Sequence, residues 1–419
     1  MISLSQLLLN DLENQITNDI TFVQFKNDVA HNASQLSGQS VILFEDSSYT
    51  FAVGLMAALH AGCRVSLPPN AQPGTLEKLD GHRLVLELGQ QTDFDFQPLD
   101  INNCILDFFT SGSTGEAKCI RKTLRQIENE ITVLEDTFGE QLGSSIALAT
   151  VSHQHIYGML FKVLWPLSAG RPFYDEMFEY WENLVPKICE DSFIISSPAH
   201  LTRYPVLDIE ASPKMIFSSG GPLPIDAAIE TQNLLSKTPM EVFGSTETGG
   251  IAYRQQTDEA TPWTPFSAID VRSDDYGVLS IRSPYLGDDH WYEMSDKVEF
   301  LENDKFLLKG RIDRIVKVEG KRVSLPEVEA VALQSPYVKE AAALISDDAR
   351  QSLSCVIVLT PEGQVQLDEI GEFRMGRLLR TEMRNDLDQV ALPRRWRFVA
   401  KIPVNSQGKR LMADLLSLY

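Results

Sequence analysis

The sequence predicts an α/β protein: a large N-terminal part built on mostly parallel sheet, followed by a small α+β part. Three observations carry this. Short apolar strands alternate with helix-length stretches from about residue 21 to 250, the pattern of a sheet covered on both faces. From about residue 266 the chain changes to short strands and turns. After Lys309 comes a compact run of hairpin, helix, two strands and helix. At 419 residues, the chain is also too long for one ordinary core.

The elements follow in order. Residues 25–36 read as helix and 41–44 as an apolar strand. Residues 51–61 read as helix, and Gly62 stands where a left-handed cap ends it. A strand at 63–67 closes on Pro68-Pro69. The strand pattern returns at 146–150, 193–196, 215–218 and 241–243, and residues 277–281 are one of the short strands of the region that begins near 266. In the last part a hairpin crosses Glu319-Gly320-Lys321 and a helix opens at Pro326. Two strands then lie near 340–360, with a helix over about 367–387. The boundary is expected at 310–313, dividing 1–310 from 311–419.

Charge separates the two parts as well. Residues 311–419 carry 17 Lys+Arg against 15 Asp+Glu, while the rest carries 20 against 43. So acidic a body argues against a nucleic-acid partner. The first residues lack a basic leader, which argues against a signal peptide. Residues 159–169 are apolar but short and interrupted by Lys162, so they read as buried core and no membrane span is expected. The five cysteines are scattered without metal-type pairing, as suits reduced thiols in a cytoplasmic protein.

The strongest motif is Thr110-Ser111-Gly112-Ser113-Thr114-Gly115-Glu116-Ala117-Lys118, led in by an apolar strand at 105–109. Small hydroxyl residues and glycines let backbone N–H groups approach a polyphosphate, and the lysine adds charge. The spacing is not that of a Walker loop. Alone, it also reads as a flexible Ser/Gly loop. It is followed by Phe243-Gly244-Ser245-Thr246-Glu247-Thr248 after a strand, then by Gly310-Arg311-Ile312-Asp313-Arg314-Ile315-Val316-Lys317 with Gly320. Pro403-Val404-Asn405-Ser406-Gln407-Gly408-Lys409 closes the series.

In this order and at these separations the motifs resemble the adenylate-forming superfamily: acyl- and aryl-CoA synthetases, peptide-synthetase adenylation domains and luciferases. The resemblance runs nearly the whole chain and includes Ser218-Ser219-Gly220-Gly221, which is similar to the family's adenine-side loop. It implies layered αβαβα sheets with a small β-barrel-like subdomain, and a small mobile C-terminal domain. It implies activation of a carboxylic acid by ATP to acyl-AMP, then transfer to a thiol of CoA or of phosphopantetheine on an acyl carrier protein. Ser111, Ser113, Thr114 and Lys118, with Thr110 opening the loop, would hold the β- and γ-phosphates. Phe243, beside Gly244, would lie against adenine, although an aromatic ending a strand is otherwise core. Thr246 would donate to the α-phosphate and Glu247 would coordinate Mg²⁺; the plainer reading is that they cap a following helix. Asp296 would accept from the ribose hydroxyls, assisted by Arg311. His155 would line the acyl pocket, with His153 a weaker candidate and packing an equal alternative. Lys409 would bridge the reactants of the first step. Asp313 would be the hinge that alternately presents Lys409 and the Lys317–Gly320 hairpin, the thiol side.

The sequence departs from the family at Ala117, Met294, Ser295 and Met412, where proline, threonine, glycine and arginine are usual. These departures motivate an alternative: a nucleotide-binding but catalytically silent regulatory or scaffold protein. Arg374, Arg377, Arg380 and Arg384 recur on one expected helix, followed by Arg394, Arg395 and Arg397. They read either as a solvated face paired with Glu372 and Glu382, or as a basic surface for CoA phosphates or a carrier protein. The acid is expected to be aryl or medium-chain.

Overall fold

The computed structural model describes residues 1–111, 117–258, 260–318, 321–345, 352–404, 410 and 412–419. The first sheet holds β1 (Ser40–Ile42), β2 (Arg64–Leu67), β3 (His82–Arg83), β4 (Ile105–Ser111) and β5 (Ala117–Thr123), in the order β3-β1-β2-β4-β5. All its pairs are parallel except β4–β5, which returns as a hairpin. Helix α1 (Phe22–Ser34) opens on a capping box in which Thr21 and Gln24 satisfy each other's backbone N–H groups. Helix α2 (Ser48–His60) starts three residues earlier than expected because Ser47 caps it, accepting from Thr50 N. Apolar on nearly every side, α2 is buried on nearly every side. Gly62 takes φ +71° just beyond it, as a left-handed stop requires. Asp107 on β4, buried, binds Arg64 on β2 and Arg121 on β5 (2.9 Å), fastening three strands below the Ser/Gly loop.

Helix α3 (Leu124–Leu142) begins on a second capping box, Thr123 with Gln126, and crosses to the second sheet. That sheet comprises β6 (Ile146–Ala149), β7 (Ser192–Ser196), β8 (Met215–Ser218), β9 (Met240–Ser245), β10 (Gly249–Gln255) and β11 (Thr264–Pro265), in sequence order across it. Strands β6 to β9 are parallel, and β9–β10–β11 antiparallel. Helix α4 (Ile225–Leu235) connects β8 to β9. A four-stranded antiparallel sheet follows: β12 (Asp270–Ser273), β13 (Val278–Arg282), β14 (Tyr292–Phe300) and β15 (Phe306–Arg311).

The last part contains the hairpin β16 (Ile315–Val318)–β17 (Lys321–Ser324), helix α5 (Leu325–Ala332), strands β18 (Val338–Ile345) and β19 (Leu353–Leu359), helices α6 (Pro361–Ile370) and α7 (Glu372–Glu382), β20 (Arg395–Phe398) and α8 (Met412–Leu416). The single helix expected over 367–387 is two. Gly371 at φ +78° breaks it, and a short 3₁₀ turn, Met383–Asn385, follows α7. Buried apolar side chains fall into separate clusters. One large cluster runs from Leu4 to Phe306, and another from Val318 to Leu392 packs β17, α5 and α7 on the β18–β19–β20 sheet.

Residues 159–169 are core, as expected, but the first turns form a π-helix, Met159–Leu164. Lys162 lies inside it, fully buried, with Nζ donating to the carbonyls of Asp175 (3.1 Å) and Glu176 (2.8 Å). Burial pulls its pKa down to about 7, against the attraction of Asp175 and Glu176. Between that value and the ordinary 10.5, the unfolded chain holds a proton that the folded chain does not. Stability from this group therefore rises with pH across the window. Comparing melting temperatures of wild type and Lys162→Met between pH 7 and 9 is expected to show wild type gaining relative to the variant. A difference that stays flat with pH sinks the assignment.

Candidate active site

Because β6, β7, β8 and β9 run parallel, the loops that leave their C-terminal ends open along one edge of the sheet, where α/β proteins place ligands. Three of the sequence motifs meet there: His155 after β6, Ser219-Gly220-Gly221 after β8, and Thr246-Glu247 after β9. Thr246 to Thr248 do not cap a helix. They form the turn of the antiparallel β9–β10 hairpin, tied by Thr248 Oγ1 accepting from Ser245 N (3.1 Å). The hairpin is tight because Gly244 has no side chain: a Cβ there would meet Gly249 O at 2.2 Å.

Lys118, at the exit of the Ser/Gly loop, reaches across from β5 and places Nζ 3.0 Å from Glu247 Oε1. The two motifs, 129 residues apart, thus touch. Lys118 is mostly exposed, and its bond to Glu247 raises its pKa. Burial works to raise Glu247, but the lysine's bond and charge outweigh it and hold the carboxyl below its ordinary range. Tyr292 at the start of β14 is close enough to bear on Lys118. In the loop itself, residues 112–116, with Ser113 and Thr114, and the side chains of Thr110, Ser111 and Ala117 lie outside the described residues.

Sequence reasoning missed the groups beneath this turn. Lys122, 2% exposed, donates from Nζ to the carbonyls of Glu247 (2.6 Å) and Tyr285 (2.8 Å). Gln126 Nε2 donates to the same Tyr285 carbonyl at 2.9 Å. Glu130 is buried and accepts from Gly250 N at 2.7 Å. Gly249, at φ +67°, leaves room for that carboxylate, since a Cβ would stand 2.6 Å from it. Burial pulls Lys122 down to about 8 and pushes Glu130 up. One signal was available: Gln126 and Glu130 interrupt at a four-residue step the apolar stripe Ile127–Ile131–Leu134.

The Ser219-Gly220-Gly221 loop is held from below. Ser219 Oγ donates to Val242 O (2.8 Å), and buried Glu241 accepts from Leu223 N (3.2 Å), Arg254 Nε (2.8 Å) and Gln256 Nε2 (2.6 Å). Gly220, at φ +89°, faces open space, as does Gly221 apart from Pro198 at 4.0 Å. Phe243 is half-buried, its ring 5.5 Å from that of Trp263 and 6.3 Å from that of Phe306; packing against core accounts for one side of it.

Asp296 and Arg311 are register partners on β14 and β15. Asp296 is buried, Arg311 half-exposed, and Nη1 stands 3.4 Å from Oδ2. Met294, in place of the family's threonine, points into the core at 9% exposure. His155 begins the short helix Ile156–Gly158 and accepts at its carbonyl from Met159 N at 2.7 Å. Burial lowers its imidazole to about 4, so it is neutral near pH 7. His153 is structural: Nδ1 meets Ser48 Oγ (2.9 Å), Nε2 meets Glu45 O (2.8 Å), and burial lowers it to about 3.

A 3₁₀ turn, Ile312–Arg314, links β15 to β16, and Arg314 grips Glu329 with two bonds of 2.9 and 2.7 Å. The side chains of Asp313 and Lys317, and Gly320 and Lys409 entirely, lie outside the described residues. The chain on either side of Lys409 is anchored. Ile402 and Leu415 are buried in one cluster, Met412 packs on it in place of the usual arginine, and Arg410 donates to Ala341 O at 2.6 Å. Among the described residues no group of three carboxylate, histidine or cysteine side chains could hold a metal alone. A magnesium ion carried by nucleotide phosphates needs only one or two carboxylates, which Glu247 fits.

The chain matches the AMP-binding enzyme family over residues 75–274 and the AMP-binding enzyme C-terminal domain over 327–409. It is 24% identical to D-alanine–D-alanyl carrier protein ligase of Staphylococcus aureus, over 94% of this chain and 93% of that protein. It is 23% identical to 4-coumarate–CoA ligase of Cereibacter sphaeroides, over 72% of this chain and 69% of that protein. Among solved structures, ATP-bound MatB from Rhodopseudomonas palustris superposes with a TM-score of 0.78 at 15% identity, covering 99% of this chain and 98% of that one. The amide bond synthetase McbA from Marinactinospora thermotolerans gives 0.75 at 17%, covering 99% of each.

Proposed function

We propose, from the premise that this chain belongs to the adenylate-forming (AMP-binding) superfamily, that it charges an aryl or medium-chain carboxylic acid onto a carrier-protein thiol. It is an AMP-forming acid–thiol ligase: ATP and a carboxylate give acyl-AMP and pyrophosphate, and a thiolate then displaces AMP. The alternative of a catalytically silent scaffold is not favoured, since the departures leave Asp296 paired with Arg311 and Glu247 joined to Lys118.

The observation that carries the reading is the Lys118–Glu247 contact, which joins the Ser/Gly loop to the Thr-Glu turn. With ATP bound, the lysine would turn to the phosphates, and the Glu247 carboxylate would hold a magnesium ion that neutralises phosphate charge. Thr246 would donate to the α-phosphate oxygen on which charge accumulates. Gly220 and Gly221 would admit adenine beside Phe243, and Asp296 would take the ribose hydroxyls. Neutral His155 would offer the acid a hydrogen bond without a fixed charge. Asp313 near the 310–313 boundary would be the hinge, and Lys317 with Gly320 the thiol side. The separation of the hydrophobic clusters on either side of that boundary supports two units, 1–310 and 311–419.

A carrier protein is favoured over CoA because the carrier-protein ligases align over 94% of the chain, whereas the CoA ligase aligns over 72%. Five free thiols favour the cytoplasm, and no described helix is long and apolar enough to cross a membrane. The test is ATP–pyrophosphate exchange across a panel of aromatic and medium-chain acids. Exchange with at least one of them is expected; none with any acid removes the proposal.

A further inference from the structure

The arginines of α7 and of the 3₁₀ turn after it form a largely exposed face that Glu372 and Glu382 do not pair. Among the described residues, Arg374, Arg377, Arg380 and Arg384 form no ion pair with either glutamate. Arg380 Nε is buried and has no hydrogen-bond partner. Its pKa is lowered, first by burial and then by the charges of Arg384 and Arg394. A half-buried guanidinium beside like charges is costly to leave uncovered.

The same face carries an exposed aromatic. Phe373 is 78% exposed, and Phe373, Arg377, Arg380 and Arg384 follow steps of four, three and four residues. That spacing sets them in one stripe, opposite the buried Met375, Leu379 and Met383. Aromatic and arginine side chains together are the composition of protein interfaces. At 1.5 Å per residue the stripe is about 16 Å long, more than one phosphate group covers, and it matches carboxylates spaced along a protein surface. Beyond α7, the turn Gln389–Ala391 packs on β17, part of the hairpin assigned above to the thiol side.

We infer that the Phe373–Arg377–Arg380–Arg384 stripe is the docking surface for an acidic carrier protein that brings its phosphopantetheine thiol to the acyl-AMP. This rests on the acceptor reading above and adds where the acceptor binds. The carrier's carboxylates pair with the arginines, and an apolar side chain covers Phe373. The opposed charges speed encounter at low salt.

The test uses the full chain with two acceptors in parallel: a purified acidic acyl carrier protein loaded with phosphopantetheine, and CoA. The double variant Arg377→Glu/Arg384→Glu changes exposed positions only, and Phe373→Ala probes the apolar contact separately. For the charge variant, KM for the carrier is expected to rise about tenfold or more, with loss of the wild-type salt dependence. For Phe373→Ala it rises by a smaller factor. Pyrophosphate exchange and KM for CoA stay within about twofold. If wild type loads the carrier and the charge variant loads it equally well, the docking surface is overturned while the acceptor reading stands. An equal rise in KM for CoA also overturns it, assigning the arginines to nucleotide phosphates. If wild type exchanges pyrophosphate but loads only CoA, acceptor reading and docking surface fall together.

Discussion

Replacing Lys409 by alanine is expected to lower ATP–pyrophosphate exchange by about 10² to 10³-fold while sparing thiol transfer from preformed acyl-AMP. When the carboxylate attacks the α-phosphorus, two negatively charged reactants crowd one pentacoordinate centre. Repulsion and the developing charge dominate that barrier. An ammonium that bridges carboxylate and phosphate oxygens lowers both terms, and its worth is larger out of water. The described residues on either side of Lys409, namely Ile402, Arg410 and Leu415, are anchored on the β18–β19 layer, which ties the proposed role to the C-terminal part of the chain. On the proposed division of labour, thiol transfer would use the Lys317–Gly320 side of that part and would not need Lys409. Single-turnover assays with ATP plus acid, and separately with synthetic acyl-AMP plus thiol, read the two steps. Equal losses in both would refute the division of labour.

Lys122→Met is expected to reduce the same exchange by about 10 to 10²-fold through position and not through contact with substrate. The substitution keeps the length of the side chain and deletes the donor that holds the carbonyls of Glu247 and Tyr285. Tyr285 O keeps its bond from Gln126, but the Glu247 carbonyl loses its donor at a cost of roughly 1–3 kcal/mol, and the turn relieves that cost by shifting. Thr246 and Glu247 ride on this turn, so a small shift would misplace the proposed α-phosphate donor and the proposed magnesium carboxylate together. A merely structural lysine would lower the melting temperature and nothing else. A positioning lysine also raises the magnesium concentration needed for half-maximal exchange, with KM for the acid unchanged. Glu130→Gln retains an acceptor for Gly250 N and is expected to keep most of the activity. Normal exchange with a normal magnesium requirement in folded Lys122→Met would remove the role.

The sequence by itself determined the class of fold, the order of the motifs and the chemistry they serve. Period-two and helical patterns are local, and the loops that approach phosphates need glycine and small hydroxyl residues wherever they occur. It also placed the stop at Gly62 and the buried run over 159–169. Only the tertiary structure decided how distant residues meet. The Thr246–Thr248 turn belongs to a hairpin because β10 returns beside β9, and no local signal separates that from the start of a helix. Lys122 reads as an ordinary polar position on a strand until Glu247, 125 residues away, folds over it. The helix expected over 367–387 breaks at Gly371, whose φ of +78° ends α6 and lets α7 start in a new direction. Local sequence fixes which backbone shapes are cheap. Which buried donor finds which carbonyl depends on contacts across the chain, and those are settled when the layers close.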